Sequence, residues 1–402
     1  MDNNYKYVIT KLEERIFSFL LHHDKALEIH CDETEEESQI GNIYIGKIKN
    51  IAKNIEAAFV EIEPGEVCYV PLEDMKSPVY TKKGSSQKPQ AGDELLIQIS
   101  RDKIKSKFPA GTTNIELHGK YVLLTAGKKQ LSVSSKVSKE EKERLQQILR
   151  TFVEKEEVSD SQQNIGWLML TNAATADEAS LIEEMNRLLA QYRTITEQAQ
   201  YRTCFSCLQH RPASYLTRLS NLYDKDEIQI VTDDTEIFRE IQEYLQIHQP
   251  EDVTKASLYQ DALLPLKKLY SLEHQLAEAL KEKVWLKSGG YLVIQPTEAL
   301  TVIDVNTGKY EGGKRKQAAM LKINLEAAAE IARQIRLRNL SGIIICDFIN
   351  MENKEDDVAL MNQLGSMLKK DPIPTNLVDM TKLSLVEITR KKREKPLYEA
   401  CR

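Results

Sequence analysis

The chain has 402 residues, enough for roughly two to four domains with real cores. Hydrophobic residues make up 41% and charged residues 29%, which excludes a disordered chain, and no apolar run reaches the ~18 residues of a membrane span. The net charge of −6 excludes a generic nucleic-acid coat while leaving room for a local basic groove.

No basic flank followed by an apolar segment and a small-residue cleavage site opens the sequence, so the expected location is cytoplasmic. Six cysteines (Cys31, Cys68, Cys204, Cys207, Cys346 and Cys401) are scattered and read as reduced thiols packed as small hydrophobes. Cys204 and Cys207 have CxxC spacing, with His210 close by, but no second pair completes the four ligands of a zinc site.

In chain order, residues 1–37 predict strands at 6–10, 15–20 and 27–30, ahead of a short acidic linker. From Gly41 the pattern changes to short alternating strands over residues 42–49, 57–62, 67–72 and 95–100. Turn signals at Pro64-Gly65 and Gly92-Asp93 separate them, as in a small five-stranded barrel, and Gly46 fits a tight barrel bend. Phe59 and Tyr69 fall on adjacent strands, where barrel proteins stack unpaired bases; Phe59 also reads as core. Lys47 and the basic loop of Arg101, Lys103, Lys105 and Lys107 border that surface and favour binding.

Residues 115–215 predict strands near 121–125 and 167–171 and two helices. The first helix opens with a capping box at Ser138 and Glu141, and the second covers residues 175–200 with Leu181, Met185 and Leu188 as core. Residues 216–280 mix strand and helix; Asp233 and Asp234 end a strand there, a metal-site candidate for which helix capping is the simpler role.

Two segments near the C-terminal end carry the chemistry: Thr301-Val-Ile-Asp-Val-Asn-Thr-Gly308 and Gly342-Ile-Ile-Ile-Cys-Asp-Phe348. Each is an apolar, β-branched run ending in a carboxylate, so Asp304 and Asp347 fall where buried strands give way to loops. A helix predicted over residues 316–339 joins them in a strand–helix–strand rhythm that brings the strand ends side by side. Asp304 and Asp347 with Asn306 make a hard-oxygen cage suited to Mg²⁺ or Mn²⁺ and to phosphate chemistry. Lysine and arginine cluster beside these segments, in residues 309–316 and 390–395, as a polyanion track would require; a solvated helix face explains any one cluster equally well.

Together these segments resemble the ribonuclease E/G family from end to end. The residues that carry the resemblance are Gly41-Asn-Ile-Tyr-Ile-Gly-Lys-Ile48, Glu56-Ala-Ala-Phe-Val60, Ser288-Gly-Gly-Tyr-Leu-Val-Ile294, Pro296-Thr-Glu-Ala-Leu-Thr-Val-Ile-Asp-Val-Asn-Thr-Gly308, Asn324-Leu-Glu-Ala-Ala328, Glu330-Ile-Ala-Arg-Gln-Ile-Arg-Leu-Arg338 and Asp347-Phe-Ile-Asn-Met351. The resemblance implies an α/β multidomain chain. An RNase H-like domain (1–37 and 216–280) is interrupted by an S1-type OB barrel (38–115) and a 5′-sensor-like α+β domain (116–215), and a DNase I-like α/β catalytic domain (281–402) follows. It also implies an Mg²⁺-dependent endoribonuclease of single-stranded RNA, active in rRNA processing or mRNA decay and leaving 5′-phosphate and 3′-hydroxyl ends. Asp304 and Asp347 match the family's metal-binding aspartates and Asn306 its motif asparagine. Phe59 and Tyr69 match the barrel's aromatic positions, and Lys107 and Arg101 its basic ones.

Two departures stand out. The family's Arg-Thr pair for a 5′-monophosphate reads Leu170-Thr171 here, and Ser134 and Ser135 stand where arginines are expected. Thr171 donates one hydrogen bond at most and leucine none, so the expectation is weak 5′-phosphate preference. The family's zinc link joins two protomers through paired cysteines, but Cys401 alone is present here, giving a homodimer two thiolates where a closed Zn²⁺ site takes four. A chain cut at this point and a dimer through another surface both fit. The competing function is a non-catalytic RNA-binding or ribosome-associated protein on the same fold. A metal phosphodiesterase acting on DNA is disfavoured by the S1-type barrel.

Overall fold

The computed structural model describes residues 5–32, 39–86, 88–103, 108–157, 164–222, 228–308 and 316–402. It is a mixed α/β structure in two compact units. One comprises residues 1–33, 227–242 and 254–402; the other comprises residues 34–226 and 243–253.

The second unit holds a closed five-stranded barrel. Strands Ile43–Ala52, Ala57–Glu63, Glu66–Pro71, Ala110–Thr112 and Glu94–Arg101 pair in turn, and the last pairs back onto the first. Alternation explains closure: Ala58, Val60 and Ile62 point inward with Cys68, Val70, Leu95 and Ile97, while Phe59 and Glu61 point outward. A Cβ on Gly46 would lie 2.6 Å from Val60 Cγ1, so only glycine allows the strands to approach this closely. The three-residue strand Ala110–Thr112 completes the set and lacks the length for any periodic pattern, which is why the sequence reading placed four strands in a five-stranded barrel.

Beside the barrel in the same unit is a four-stranded sheet of Glu116–His118, Val122–Ala126, Ile165–Met169 and Leu131–Val133. It packs against helices Lys139–Glu157 and Glu178–Ala199 through Leu145, Leu149, Leu181, Met185 and Leu188. Ser138 Oγ accepts the Glu141 N–H at 3.4 Å, and Asp177 caps the second helix through Ser180 N–H at 2.7 Å.

In the first unit a five-stranded sheet runs Ala256–Leu258, Gln229–Thr232, Tyr5–Leu12, Arg15–His22, Lys25–Asp32; its first three strands are mutually parallel and the rest antiparallel. Asp234 accepts the N–H groups of Glu236 and Ile237, which makes it a helix cap. The unit's other sheet has six strands in the order Lys283–Trp285, Tyr291–Pro296, Leu300–Asn306, Gly342–Asp347, Leu385–Arg390, Thr375–Met380. Helices Lys316–Leu337 and Lys354–Leu368 pack on one face of it, burying Ile303, Val305, Ile344 and Cys346 against Ile323, Ala327, Ile331, Leu360 and Leu364. Among the described residues no helix is long and apolar enough to cross a membrane.

Candidate active site and nucleic-acid surface

The strand period decides which side chains meet. Ile303 and Val305 point toward the helices, so Val302, Asp304 and Asn306 point to the opposite, more open face of the six-stranded sheet. Ile344 and Cys346 are buried likewise, which puts Ile345 and the exposed Asp347 on that open face. Strands Leu300–Asn306 and Gly342–Asp347 are parallel neighbours, and Asp304 and Asp347 are register partners. Two carboxylates therefore stand side by side, about 4.8 Å apart at the backbone. Asn306 Nδ2 donates to Asp304 Oδ2 at 2.7 Å and orients that carboxylate.

The helix Lys316–Leu337 fixes the backbone on both sides of this pair. Asn324, fully buried, donates to the Ile349 carbonyl at 2.7 Å and accepts the Ile349 N–H at 3.1 Å, clamping the chain just after Asp347. Glu326 accepts the N–H groups of Lys287 and Ser288 at 2.6 and 3.1 Å, holding the turn before Gly289-Gly290. Gly308, at φ 67°, lies so close to that turn that a Cβ would meet the Gly289 carbonyl oxygen at 2.1 Å. Asn324 and Glu326 were legible as part of a motif, but their roles as backbone clamps depend on partners 25 and 39 residues away.

The donor set suits a hard divalent cation. Among the described residues no group of three or more His, Cys, Asp or Glu side chains could hold a metal. Mg²⁺ characteristically uses one or two carboxylates and completes its shell with water and substrate phosphate, so the Asp304–Asp347 pair fits it. Glu387, half-buried on the same face, is the register partner of Ile345 and adds a further carboxylate that sequence reading did not single out.

In the barrel, Phe59 and Tyr69 are register partners with ring centroids 6.2 Å apart, and Phe108 stands 5.6 Å from Phe59. Phe59 is half-buried on the outer face, not in the core, and Phe108 is 54% exposed. Ala110 pairs with both Tyr69 and Arg101, so Arg101 stands in the same cross-strand row as the two aromatics. Lys47 instead pairs with Glu61, its ammonium 3.9 Å from Glu94. Lys105 and Lys107 lie outside the described residues, as do Lys309, Lys314 and Arg315. Phe108 was missed because a single aromatic after a lysine-rich loop has no periodicity to flag it.

A model of the ribonuclease E/G family matches residues 116–393. The chain is 32% identical to ribonuclease E of Nostoc sp. strain PCC 7120 over 370 residues, covering 90% of this chain and 52% of that protein. It is likewise 32% identical to ribonuclease E of Synechocystis sp. strain PCC 6803 over 90% of this chain and 53% of that protein. Ribonuclease G of Escherichia coli K12 is 30% identical over 91% of this chain and 75% of its own length. The chain belongs to the ribonuclease E/G family. It spans about half the length of the two ribonuclease E relatives.

Membership directs attention to the Leu170-Thr171 segment. Ser134 and Thr171, distant in sequence, meet: their hydroxyls are 2.9 Å apart, joining the turn after Leu131–Val133 to the turn Thr171–Thr175. Arg144 reaches the latter turn, but its guanidinium binds the carbonyls of Ala174 and Ala176 and the carboxylate of Glu141. This ribonuclease E/G chain thus presents hydroxyls at that place, and an arginine committed to backbone.

Two further expectations meet structural detail. Arg390, grouped in sequence with Lys391 to Lys395, is buried, its guanidinium bound to Asp371 at 2.7 Å and to Asn339 at 2.7 Å. That side chain is a structural anchor, not part of an exposed basic run; its acidic partner lies 19 residues upstream, beyond any local pattern. Cys401 packs beside Cys31 in an apolar cluster, and a hydrogen bond with Cys401 holds the Cys31 thiol below the usual thiol range despite its burial, with Arg15 assisting.

Proposed function

We propose that the protein is a divalent-metal-dependent endoribonuclease of single-stranded RNA, acting in the cytoplasm in rRNA processing or mRNA decay. The observation that carries this reading is the placement of Asp304 and Asp347 as register partners on one open sheet face, with Asn306 bonded to Asp304. Asp304 and Asp347 would hold an Mg²⁺ or Mn²⁺ ion. Bound there, the ion supplies an activated water and neutralises charge on the phosphate. The chain's own contribution is orientation. Asn306 holds the Asp304 carboxylate, while Asn324 and Glu326 hold the two backbone segments that frame the pair. In-line attack by water on phosphorus, with the bond to the 3′-oxygen breaking and that oxygen taking a proton, leaves 5′-phosphate and 3′-hydroxyl ends.

The barrel row of Phe59, Tyr69 and Arg101, extended by Phe108, supplies stacking and charge for an RNA strand. The strand order of the five-stranded sheet supports the RNase H-like assignment of residues 1–37 and 216–280, and the barrel supports the S1-type assignment of residues 38–115. Residues 116–215 then form the sensor-like domain and 281–402 the DNase I-like catalytic domain. The Ser134–Thr171 pair supports weakened 5′-monophosphate sensing. A homodimer belongs to this reading too, without a zinc link built on Cys401 alone.

The test is cleavage of a fluorescent single-stranded RNA with Mg²⁺, beside Asp304→Asn and an EDTA control. Cleavage abolished by both supports the reading. Binding with no metal-dependent cleavage would instead identify an RNA-binding protein on the same fold.

A further inference from the structure

The open face that carries Asp304 continues past Asn306 toward the edge of the sheet. Asn306 is the register partner of Tyr291, and Tyr291 is the register partner of Trp285 on the edge strand Lys283–Trp285. The three side chains therefore share one face and one cross-strand row. Trp285 is 64% exposed, its ring centroid 5.2 Å from that of Tyr291 at 61°. Lys283, on the same face, places its ammonium 3.6 Å from the Tyr291 ring centroid and 4.2 Å from that of Trp285. An indole this exposed contributes little to its own core. Two flat rings with a lysine beside them offer what a nucleotide needs, a π-surface for the base and a cation for its phosphate. Strands sit about 4.8 Å apart, so the Trp285 strand lies roughly 10 Å from that of Asp304.

We propose that Trp285 and Tyr291, with Lys283, form a base-stacking subsite for a nucleotide close to the scissile phosphate. This rests on the endoribonuclease reading and adds to it a second aromatic platform, on the catalytic sheet itself. RNA is favoured over a protein partner as the occupant because the row reaches Asn306, which bonds Asp304, and pairs its rings with a cation, Lys283, that stands in the carboxylates' own cross-strand row. Stacking of this kind fixes the position of the strand without selecting among bases.

The experiment uses RNAs carrying a fluorescent purine analogue at successive positions around the cleavage site, bound to the Asp304→Asn protein so that nothing is cut. Quenching is expected at one position near that site, lost on Trp285→Ala and kept on Trp285→Phe. In the cleaving protein, Trp285→Ala is expected to lower kcat/KM roughly 5- to 100-fold, and an abasic substitution at the quenched position should then cost nothing further. Trp285 is exposed, so both variants should keep the wild-type circular dichroism and melting curve. Unchanged quenching and unchanged kcat/KM in Trp285→Ala, with the wild type cleaving normally, would overturn the subsite while leaving the enzyme reading intact. Trp285-dependent quenching in a wild type that does not cleave would uphold base stacking at Trp285 but sink the enzyme reading, and with it the subsite's place beside a scissile phosphate. A shift in oligomeric state on Trp285→Ala, with RNA binding unchanged, would identify a protein-contact surface and also overturn it.

Discussion

The carboxylate pair and the Ser134–Thr171 hydroxyl pair are both meetings of residues distant in sequence, yet they are held differently. Around Asp304 and Asp347, one helix binds two flanking backbone segments and an asparagine fixes a carboxylate, so the charged groups stand on a frame made by other side chains. At Ser134 and Thr171, the parallel strands Leu131–Val133 and Ile165–Met169 bring two turns together, with the Ser134 N–H donating to the Met169 carbonyl; the hydroxyls meet across them, and the nearby Arg144 is spent on carbonyl groups. The first arrangement leaves two acids side by side on an open face, a donor pair that fits a hard cation; at the second, the arginine that reaches the turn is bound to carbonyls instead of presenting a fork to a phosphate. On the proposed reading, chemistry and end-recognition are therefore separable.

The largest effect should break the first half of that contrast. Asp347→Asn keeps the size of the side chain but removes one of the two anionic donors, and cleavage is expected to fall by at least about a thousandfold. Far-UV circular dichroism should be unchanged, because Asp347 is exposed at a strand end. Cleavage within tenfold of wild type would remove Asp347 from the site. RNA binding in the absence of metal should survive this change, since the barrel rings lie elsewhere in the chain.

Affinity sharpens the second half. If the hydroxyl pair grips the RNA end weakly, the barrel must supply much of the binding. Phe59→Ala is then expected to weaken binding by about 1–3 kcal/mol, read as a shift in Kd by fluorescence anisotropy. Because Phe59 is half-buried on the outer face, its loss should lower stability by less than a core phenylalanine would. A large drop in melting temperature with unchanged Kd would make Phe59 a packing residue.

How much of this was readable in the sequence follows from the range of each determinant. Asp304 and Asp347 were legible because apolar residues lead up to them and the strand–helix–strand rhythm implies adjacency; Asp347 ends its strand as expected, whereas Asp304 lies two residues inside Leu300–Asn306 and not at a loop. The barrel was legible from short alternating strands, apart from Ala110–Thr112, three residues with no pattern of their own. Trp285 gave no signal and Tyr291 stood out only as part of the Ser288–Ile294 motif; that they meet was not legible, because a three-residue edge strand and a six-residue neighbour meet only through register. Arg390 read as one of a basic run and proved to be buried against Asp371 and Asn339, a pairing that only the folded sheet creates.

Acid should separate the two units by stability. Burial, with the charge of Arg187 adding to it, pushes the His248 imidazole down to about 4. His248 belongs to the unit that contains the hydroxyl pair. Its stabilising contribution is fully present above the ordinary histidine value and is lost as pH falls from about 6.5 toward 4, since the unfolded chain takes up the proton first. At pH 5 the loss relative to pH 7 is about 2 kcal/mol. Trp285→Phe leaves the buried Trp167 as the sole tryptophan, so urea unfolding followed by its fluorescence reports on this unit. Adding His248→Phe should flatten the difference between pH 7 and pH 5; an equal pH dependence with and without His248 would assign it to other groups.

The smallest expected effect is the one that tests end-recognition directly. A single oligonucleotide bearing a 5′-phosphate or a 5′-hydroxyl should be cleaved at rates differing by less than about tenfold, or about 1.4 kcal/mol. One hydroxyl already bonded to another gains little by turning to a phosphate, whereas a guanidinium would bring charge and a bidentate fork. Leu170→Arg places that fork next to Thr171, and should raise the preference for the phosphorylated end several-fold without changing cleavage of the hydroxyl form. A wild-type preference above tenfold would mean that another cation serves the RNA end, and the separation of chemistry from end-recognition would fail. No gain from Leu170→Arg would locate the deficit in the serines at 134 and 135, where the resemblance leads one to expect arginines.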